Sequence, residues 1–217
     1  MRIILASKSP RRKEILSSLG LDFEIRVSEC EEKVEDGLAP GQVVMSIAAR
    51  KGRAVSDSLR EAGEDLSDTL IIACDTVVAC AGEILGKPHD RRDTVRMLRL
   101  LSGRDHSVLS GLYVEYNGET AGAYEETFVR FSHLSEKEIE WYADSGEPDD
   151  KAGAYAIQGH ASMWVEKIDG CYFNVVGLPT SKLCRLLKSA FGIEVIDQIK
   201  FRRKEKLSAR PTGQEIT

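Results

Sequence analysis

Short apolar runs alternate with helix-type patterns along most of the chain. Residues 3–5 form a first β-prone run, and Ser9-Pro10 follows with the residue types of an N-cap and a first helical position. Apolar residues then recur at helical spacing until Gly20, which ends the helix. The strongest strand pattern covers residues 69–79, where apolar and β-branched side chains are nearly continuous, as is typical of a strand covered on both faces.

The remaining elements have weaker patterns of the same two kinds. Asn117-Gly118 predicts a hairpin turn between strands 106–116 and 121–131. Ser135 and Glu138 form a capping box at a helix start. Further strands are predicted at residues 22–27, 83–85, 154–157 and 163–168, and further helices at residues 40–57, 93–101, 135–145 and 179–191. Strands mixed with helices over the full length predict an α/β fold with a mixed sheet.

Length and charge narrow the function classes. The chain has 217 residues, which suits one domain, predicted over residues 1–199. Residues 200–217 are charged and without periodicity, and are predicted to form a mobile tail. The net charge of −5 argues against a protein that holds nucleic acid by bulk electrostatics. It leaves room for a local basic pocket that binds a small anion.

The cysteines and the apolar stretches predict the compartment. Five cysteines, an odd number without C-x-x-C spacing, are typical of reduced structural thiols and not of a zinc site or a disulfide framework. The apolar stretch of residues 70–81 is too short to span a membrane and is interrupted by Asp75. The N-terminus enters a strand directly, without a signal-peptide pattern. We therefore expect a cytoplasmic protein with no membrane partner.

The loop after the first strand carries the first candidate chemistry. Ser7 and Ser9 supply hydroxyls, and Arg11 and Arg12 supply guanidinium groups, beside the unpaired N–H groups of a helix N-terminus. Such an arrangement suits an anion, above all a phosphate chain. The alternative is an ordinary capped helix with solvated arginines.

Carboxylates supply the second candidate chemistry. Asp75 interrupts the most hydrophobic strand, where a carboxylate is costly unless it is paired, metal-bound or placed at an exposed strand end. It is either a general base or metal ligand, or a strand-end carboxylate bonded to neighbouring backbone. The acidic run with Glu29, Glu31 and Glu32 is either solvated surface or a further source of oxygen ligands for a hard divalent cation.

Two lysines and a glutamine complete the candidates. Lys87 lies between a glycine and a proline that fix the backbone, and Lys51 lies on a largely apolar predicted helix. Each lysine taken alone is more typical of a surface position. Gln158 follows a run of small residues, and its amide can donate and accept in one plane, as the edge of a nucleobase requires.

In combination, these motifs resemble the Maf family of nucleotide pyrophosphatases. The matching segments occur in the family's order over residues 1–193 and are LASKSPRRKEIL, SECEE, ARKGRA, ACDTVV, LGKP, MLRLLSGRDHSV, DKAGAYAIQG and NVVGLP. The resemblance implies an elongated mixed sheet flanked by helices, related to the inosine triphosphate pyrophosphatases (Maf/Ham1), with a deep cleft between two lobes. It also implies a homodimer.

The resemblance further implies a reaction and roles for single residues. A nucleoside triphosphate is hydrolysed to the monophosphate and pyrophosphate, with Mg²⁺ or Mn²⁺ as cofactor held by Glu32 and Asp75. Asp75 matches the family's proton acceptor, and whether it is base, metal ligand or both stays open. The other matches to phosphate-, metal- and catalysis-linked residues are Ser7, Arg12, Glu32, Lys51 and Lys87.

Three positions that distinguish subfamilies indicate the substrate. Arg11, Thr76 and Gln158 are similar to the dTTP/UTP type, in a house-cleaning role that includes modified pyrimidine nucleotides. The 7-methyl-GTP type, the alternative within the family, has an aromatic residue in place of Arg11 and a glutamine in place of Thr76. A nucleotide-binding regulator of cell division with incidental hydrolysis is the alternative from another class.

Overall fold

A computed structural model describes residues 1–27 and 37–199. Glu32, one of the two expected metal ligands, and the expected tail over residues 200–217 lie outside the described residues.

The described residues form seven strands and six helices in an α/β arrangement. The strands are Arg2–Leu5 (β1), Glu24–Ile25 (β2), Thr69–Cys80 (β3), Glu83–Leu85 (β4), Asp105–Tyr116 (β5), Glu119–Phe131 (β6) and Val165–Asp169 (β7). The helices are Pro10–Ser18 (α1), Pro40–Glu61 (α2), Arg91–Leu101 (α3), Glu136–Ala143 (α4), Tyr172–Val176 (α5) and Thr180–Phe191 (α6). Short 3₁₀ turns cover Ala152–Ala154, His160–Trp164 and Val195–Gln198. None of the described helices combines the length and the apolar character that crossing a membrane requires.

The sheet is mixed, as predicted. Its strand order is β2-β1-β3-β5-β6-β7, with β4 paired to β3 alone. Strand β1 runs parallel to β2 and β3, whereas the pairs β3–β4, β3–β5, β5–β6 and β6–β7 are antiparallel. The β1 pairing ends at Leu5 opposite Ile72, and the β4 pairing begins at Val78 opposite Leu85. Among the described residues, no strand pairs with the intervening part of β3, residues 73–77, on this side.

Alternation along β3 sends successive side chains to opposite faces of the sheet. Ile71 and Ala73 pack with Ala48 and Val55 of the amphipathic helix α2, which covers one face. Leu70 and Ile72 belong to the larger core on the other face, where α1, α3, α4 and α6 pack. These helices contribute the core residues Ile15, Leu16, Val95, Leu98, Ile139, Tyr142, Leu183 and Leu187. Both faces are therefore covered, as the continuous apolar pattern of β3 predicts.

The prediction of a strand over residues 154–157 was wrong. Gly153 and Ala154 have positive φ angles of 69° and 56°, which an extended strand does not tolerate. A Cβ atom at Gly153 would lie 2.7 Å from Cγ2 of Val78, and the Gly153 N–H donates to the Gly86 carbonyl over 2.9 Å. The chain is thus held close to β3 as a compact turn, and this close approach is a tertiary contact.

Other differences concern the ends of elements. The strand predicted over residues 22–27 is reduced to the two residues of β2, because β1 offers partners only at Ile4 and Leu5. Helix α2 continues to Glu61, beyond the predicted end at residue 57. Helix α5 was not predicted, since its five residues are too few for a helical period to be visible.

Candidate active site

A cavity of about 730 Å³ opens along the unpaired stretch of β3. Because no described strand pairs with this stretch on that side, side chains from both faces of the sheet reach the same space. All nine predicted site residues within the described part of the chain line this cavity, and they are Ser7, Ser9, Arg11, Arg12, Lys51, Asp75, Thr76, Lys87 and Gln158.

Asp75 and Lys51 form an ion pair on the α2 side of the cavity. The Lys51 Nζ atom lies 2.6 Å from Oδ1 of Asp75, and their side chains are only 16% and 11% exposed. Asp75 is at the middle of β3, and its place in the alternation turns it towards α2, which carries Lys51. The carboxylate is therefore neither a strand-end group nor unpaired. Its charge is balanced by an ammonium group at the edge of the cavity.

Two glycines allow α2 to approach the sheet closely enough for this pair. A Cβ atom at Gly111 of β5 would lie 2.4 Å from the Val44 carbonyl carbon of α2. A Cβ atom at Gly52 of α2 would lie 2.1 Å from Cδ1 of Tyr113. Real Cβ atoms do not approach other atoms so closely, so both positions require glycine. The sequence gives no sign of this requirement, which depends on which helix lies over which strand.

A buried carboxylate fixes α2 further along its length. Glu115 of β5 accepts hydrogen bonds from Ser56 over 2.7 Å, from Tyr113 over 2.8 Å and from Arg60. Burial, assisted by the hydrogen bond to Glu115, raises the pKa of Tyr113 above its usual value, so the phenol remains a donor. This cluster joins α2 to β5 beside the turn of helix that bears Lys51.

Arg12 is buried on the opposite side of the sheet. Its guanidinium donates to the Gly177 carbonyl over 2.8 Å, to Ser7 Oγ over 3.1 Å and to Thr76 Oγ1 over 3.0 Å. The group thus joins the β1–α1 loop to β3 and to the end of α5. Arg12 shapes the cavity wall and places a fixed positive charge in it.

Thr76 is the inner end of a directed chain of hydroxyl groups. Ser110 Oγ donates to the Asn174 carbonyl over 3.1 Å, which uses its one hydrogen atom. In the 2.8 Å contact between Thr76 and Ser110, Thr76 is therefore the donor. Since Thr76 also accepts from Arg12, its oxygen retains one lone pair and no hydrogen for a ligand. Thr76 can act towards the cavity only as an acceptor.

The β1–α1 loop forms the rim of the cavity at the N-terminus of α1. Ser9 is the N-cap residue, as predicted, but its side chain makes no capping hydrogen bond. Its backbone N–H donates to Ser7 Oγ over 3.2 Å. Arg11 lies apart from Arg12, with Nη1 3.8 Å from Oδ2 of Asp150 across the cavity. Arg11 therefore lies beside the wall that carries Asp150, whereas Arg12 lies beside β3.

The segment of residues 150–158 forms the far wall. Lys151 Nζ donates to the Glu147 carbonyl over 2.7 Å and to the carboxylate of Asp150. Burial raises the pKa of Asp150, but Lys151 and Arg11 outweigh this effect and hold it below its usual value. Gln158 is exposed at one end of the wall, and Lys87 is exposed at the neighbouring loop. This wall presents an amide and mixed charges to the cavity.

Whether a divalent cation can bind in the cavity depends on the side chains that could act as its ligands. Among residues 1–27 and 37–199, no group of three or more His, Cys, Asp or Glu side chains is placed to hold a metal ion. Asp75 is one carboxylate at the cavity, and Mg²⁺ is commonly bound by one or two carboxylates together with substrate phosphates and water. Asp75 fits such a shared site, which a triphosphate would complete.

Three residues that support the site are not predicted from the sequence: Ser110, Asn174 and Gly177. Asn174 is fully buried and donates to the Val108 carbonyl over 2.9 Å and to Thr127 over 3.0 Å. Asn174 and Gly177 belong to the segment NVVGLP. An asparagine beside apolar residues and a glycine are the sequence features that could have indicated them. Nothing in the sequence around Ser110 distinguishes it from other strand serines.

The chain is similar to known proteins over most of its length. The family model described as Maf-like protein matches residues 2–190. A protein of Desulforamulus reducens named dTTP/UTP pyrophosphatase is 45% identical over 196 residues, which cover 89% of this chain and 98% of that protein. A protein of Bacillus anthracis with the same name is 46% identical over 194 residues, covering 89% and 97% of the two chains. Among solved structures, the chain is similar to the Ham1 protein of Staphylococcus aureus, with 15% identity and a TM-score of 0.40 over 60% of this chain and 72% of that chain.

Proposed function

The chain belongs to the Maf-like protein family, and on this basis we propose that it is a nucleoside triphosphate pyrophosphatase. It hydrolyses dTTP and UTP to the monophosphate and pyrophosphate, in a house-cleaning role that extends to modified pyrimidine nucleotides. The names of its relatives support the substrate class. The 45% identity over 98% of the Desulforamulus reducens protein supports the same substrate class for this chain.

The observation that carries the proposal is the Lys51–Asp75 pair, with side chains 16% and 11% exposed, at the edge of a cavity that also holds Arg12 and Lys87. Arg12 lies across the unpaired stretch of β3 from this pair, and Lys87 lies at a neighbouring loop. Hydrolysis of a phosphoanhydride requires a proton acceptor for water and positive groups for the charge that develops on the leaving group. The cavity brings both kinds of group together.

In the proposed reaction, Asp75 accepts a proton from a water molecule at the α–β linkage. A bond forms between the water oxygen and the α-phosphorus, and the bond from that phosphorus to the bridging oxygen breaks. The bridging oxygen leaves with its electron pair on pyrophosphate, whose charge Arg12, Lys51 and Lys87 stabilise. Ser7, Ser9 and the N-terminus of α1 orient the phosphate chain.

We also propose a divalent cation, Mg²⁺ or Mn²⁺, as cofactor. Asp75, the substrate phosphates and Glu32 would hold it, where Glu32 is included on the family resemblance. When bound, the cation would neutralise negative charge on the substrate phosphates.

The directed hydroxyl chain supports a preference for uracil and thymine. These two bases carry an N3–H donor, whereas cytosine carries an acceptor at the same ring position. Thr76 can only accept, so it complements uracil and thymine and opposes cytosine. Gln158 and Arg11 line the same cavity and supply donors and an acceptor for the exocyclic oxygens and the sugar.

A substrate panel tests the proposal. UTP, dTTP, CTP, GTP and 7-methyl-GTP are each incubated with the full chain and Mg²⁺, Mn²⁺ or EDTA, and the monophosphate and pyrophosphate are separated by chromatography. We expect kcat/KM to be greatest for UTP and dTTP and to be lost in EDTA. Turnover of 7-methyl-GTP well above UTP would overturn the assignment to pyrimidine nucleotides. Release of inorganic phosphate in place of pyrophosphate would overturn the reaction type.

We propose that the protein acts in the cytoplasm as a homodimer. Cys74, Cys80, Cys171 and Cys184 are free thiols, which supports a reducing compartment, and the family resemblance supports the dimer. Light scattering after size-exclusion chromatography measures the mass in solution. A mass near 24.0 kDa would contradict the dimer.

A further inference from the structure

Glu147 lies outside the cavity but binds both ends of its far wall. Its Oε1 atom accepts a hydrogen bond from Tyr142 over 2.8 Å. Its Oε2 atom accepts from the His160 backbone N–H over 3.2 Å and contacts His160 Nδ1 at 2.7 Å. The carboxylate thus holds the chain on the far side of Gln158, two residues beyond it.

The same residue holds the near end of the wall. The Glu147 carbonyl accepts the hydrogen bond from Lys151 Nζ over 2.7 Å. The Tyr142 hydroxyl, which donates to Glu147, accepts from the Ala156 N–H over 3.1 Å. Residues 151–160 are therefore closed into a ring whose junction is Glu147.

The Glu147 carboxylate also packs against the backbone of this ring. A Cβ atom at Gly159 would lie 2.0 Å from Oε1 of Glu147, so the carboxylate rests directly on the backbone next to Gln158. The Glu147 side chain is 19% exposed. Burial raises its pKa, but the hydrogen bonds from Tyr142 and His160 outweigh this and hold it below its usual value. The acceptor remains ionised, and charge-assisted hydrogen bonds are the stronger kind.

We propose that Glu147 is a positioning residue that fixes the wall bearing Gln158, and thereby the end of the cavity that holds the nucleoside. The proposal rests on the proposed function for the nature of the substrate. Glu147 does not touch the Lys51–Asp75 pair, so its contribution falls on nucleotide binding and not on the hydrolytic step.

The test compares Glu147→Gln with Glu136→Gln, the same change at an exposed residue that starts helix α4 and pairs with Arg99. The amide can still accept from Tyr142, but its nitrogen cannot accept from His160. We expect KM for UTP to rise roughly tenfold in Glu147→Gln, as loss of a hydrogen bond to a charged group implies. The kcat value and the inhibition constant of inorganic pyrophosphate should stay within about twofold of wild type. The control variant should match wild type throughout.

Hydrogen exchange of the chain without nucleotide supplies a second readout. Amides of residues 151–159 should exchange faster in Glu147→Gln than in wild type, and those of β3 should not. His160→Ala, which removes one donor and keeps the backbone N–H, should change KM and exchange in the same direction by a smaller factor. It also serves as the milder variant if Glu147→Gln folds poorly.

The outcomes separate this proposal from the proposed function. Unchanged exchange of residues 151–159, or a fall in kcat with KM unchanged, would overturn the positioning role. Absence of UTP hydrolysis by the wild-type chain would overturn the proposed function. In that case, the exchange comparison still decides whether Glu147 holds the wall.

Discussion

Lys51 Nζ lies 2.6 Å from Asp75 Oδ1, and helix α2, which carries Lys51, can lie this close to the sheet because Gly52 and Gly111 have no side chains. The pair faces one side of the sheet, while the neighbouring Thr76 faces Arg12 on the other. Both reach one cavity because no strand in the described part of the chain pairs with residues 73–77 of β3 on the β1 side. The open edge of β3 therefore brings a paired carboxylate, the Arg12 guanidinium and an acceptor-only hydroxyl to one cavity.

Replacement of Asp75 by asparagine should abolish turnover while preserving nucleotide binding. The amide occupies the same volume but cannot accept the proton of the attacking water, and general-base catalysis contributes about 10²–10⁴ in rate. We expect kcat for UTP to fall by about that factor. Calorimetric affinity for UMP should remain within about threefold. As a control, Asp105→Asn changes an exposed residue that is paired with Arg130, and it should leave both quantities unchanged. Equal activity of Asp75→Asn and wild type would exclude Asp75 as the proton acceptor.

Replacement of Gly52 by alanine should destabilise the fold and disturb the ion pair. The new Cβ atom would lie 2.1 Å from the Tyr113 ring, so helix α2 or the ring must move. Overpacking typically costs about 1–3 kcal/mol, which corresponds to a fall in Tm of roughly 2–12 °C for a protein of this size. We also expect kcat to fall, since Lys51 precedes Gly52 in the helix.

Calorimetric unfolding and UTP hydrolysis of Gly52→Ala are measured beside Ser58→Ala, an exposed position of the same helix. The serine variant should behave as wild type. A Gly52→Ala protein with unchanged Tm would show that the close approach of α2 is not required.

Stability should fall in mild acid because of His106. This side chain is buried against Phe131 and Tyr155, and burial lowers its pKa from 6.5 to about 4. Above about pH 6.5, the imidazole is neutral in the folded and unfolded chains and makes no pH-dependent contribution. Between about pH 6.5 and 4, the unfolded chain binds a proton that the folded chain excludes, so stability is lost as the pH falls. The expected loss from pH 7 to pH 5 is about 2 kcal/mol.

Urea unfolding at pH 7 and pH 5 measures this loss of stability. His106→Gln should reduce the difference between the two pH values by about 2 kcal/mol. His133→Gln, at an exposed histidine, should retain the difference. An identical pH dependence for wild type and His106→Gln would contradict the prediction.

Replacement of Ser110 by alanine should relax discrimination between UTP and CTP. Without Ser110 Oγ, the Thr76 hydrogen loses its acceptor and can turn towards the cavity, where it would donate to N3 of cytosine. The Asn174 carbonyl keeps the hydrogen bond from the Gly177 N–H over 3.0 Å, so the stability cost should be about 1 kcal/mol. We expect the ratio of kcat/KM for UTP over CTP to fall by roughly tenfold, as one misdirected hydrogen bond implies.

Competition between UTP and CTP in one reaction gives this ratio directly. Ser107→Ala, on the same strand at the position opposite Ala79, is the matched control. A ratio unchanged in Ser110→Ala would show that the direction of the hydroxyl chain does not select the base.

Much of the fold follows from local patterns. The period-2 and continuous apolar runs predicted β1, β3, β5 and β6, and Asn117-Gly118 placed the hairpin, because these features depend on neighbouring residues alone. The segment of residues 154–157 was predicted wrongly as a strand. Its apolar residues fill the core from a turn whose shape is fixed by contact with Val78 and Gly86, which are distant in sequence.

The sequence by itself determined the chemical groups of the candidate site: the carboxylate within the apolar strand, the lysines, the arginine loop and the glutamine, each distinguished by a residue type unusual for its surroundings. Only the tertiary structure decided how these groups are arranged and paired. It paired Asp75 with Lys51, separated Arg11 from Arg12, and made Thr76 an acceptor through Ser110 and Asn174. These outcomes depend on which elements lie side by side and on the direction of each hydrogen bond, and neither is encoded in the spacing of residues along the chain.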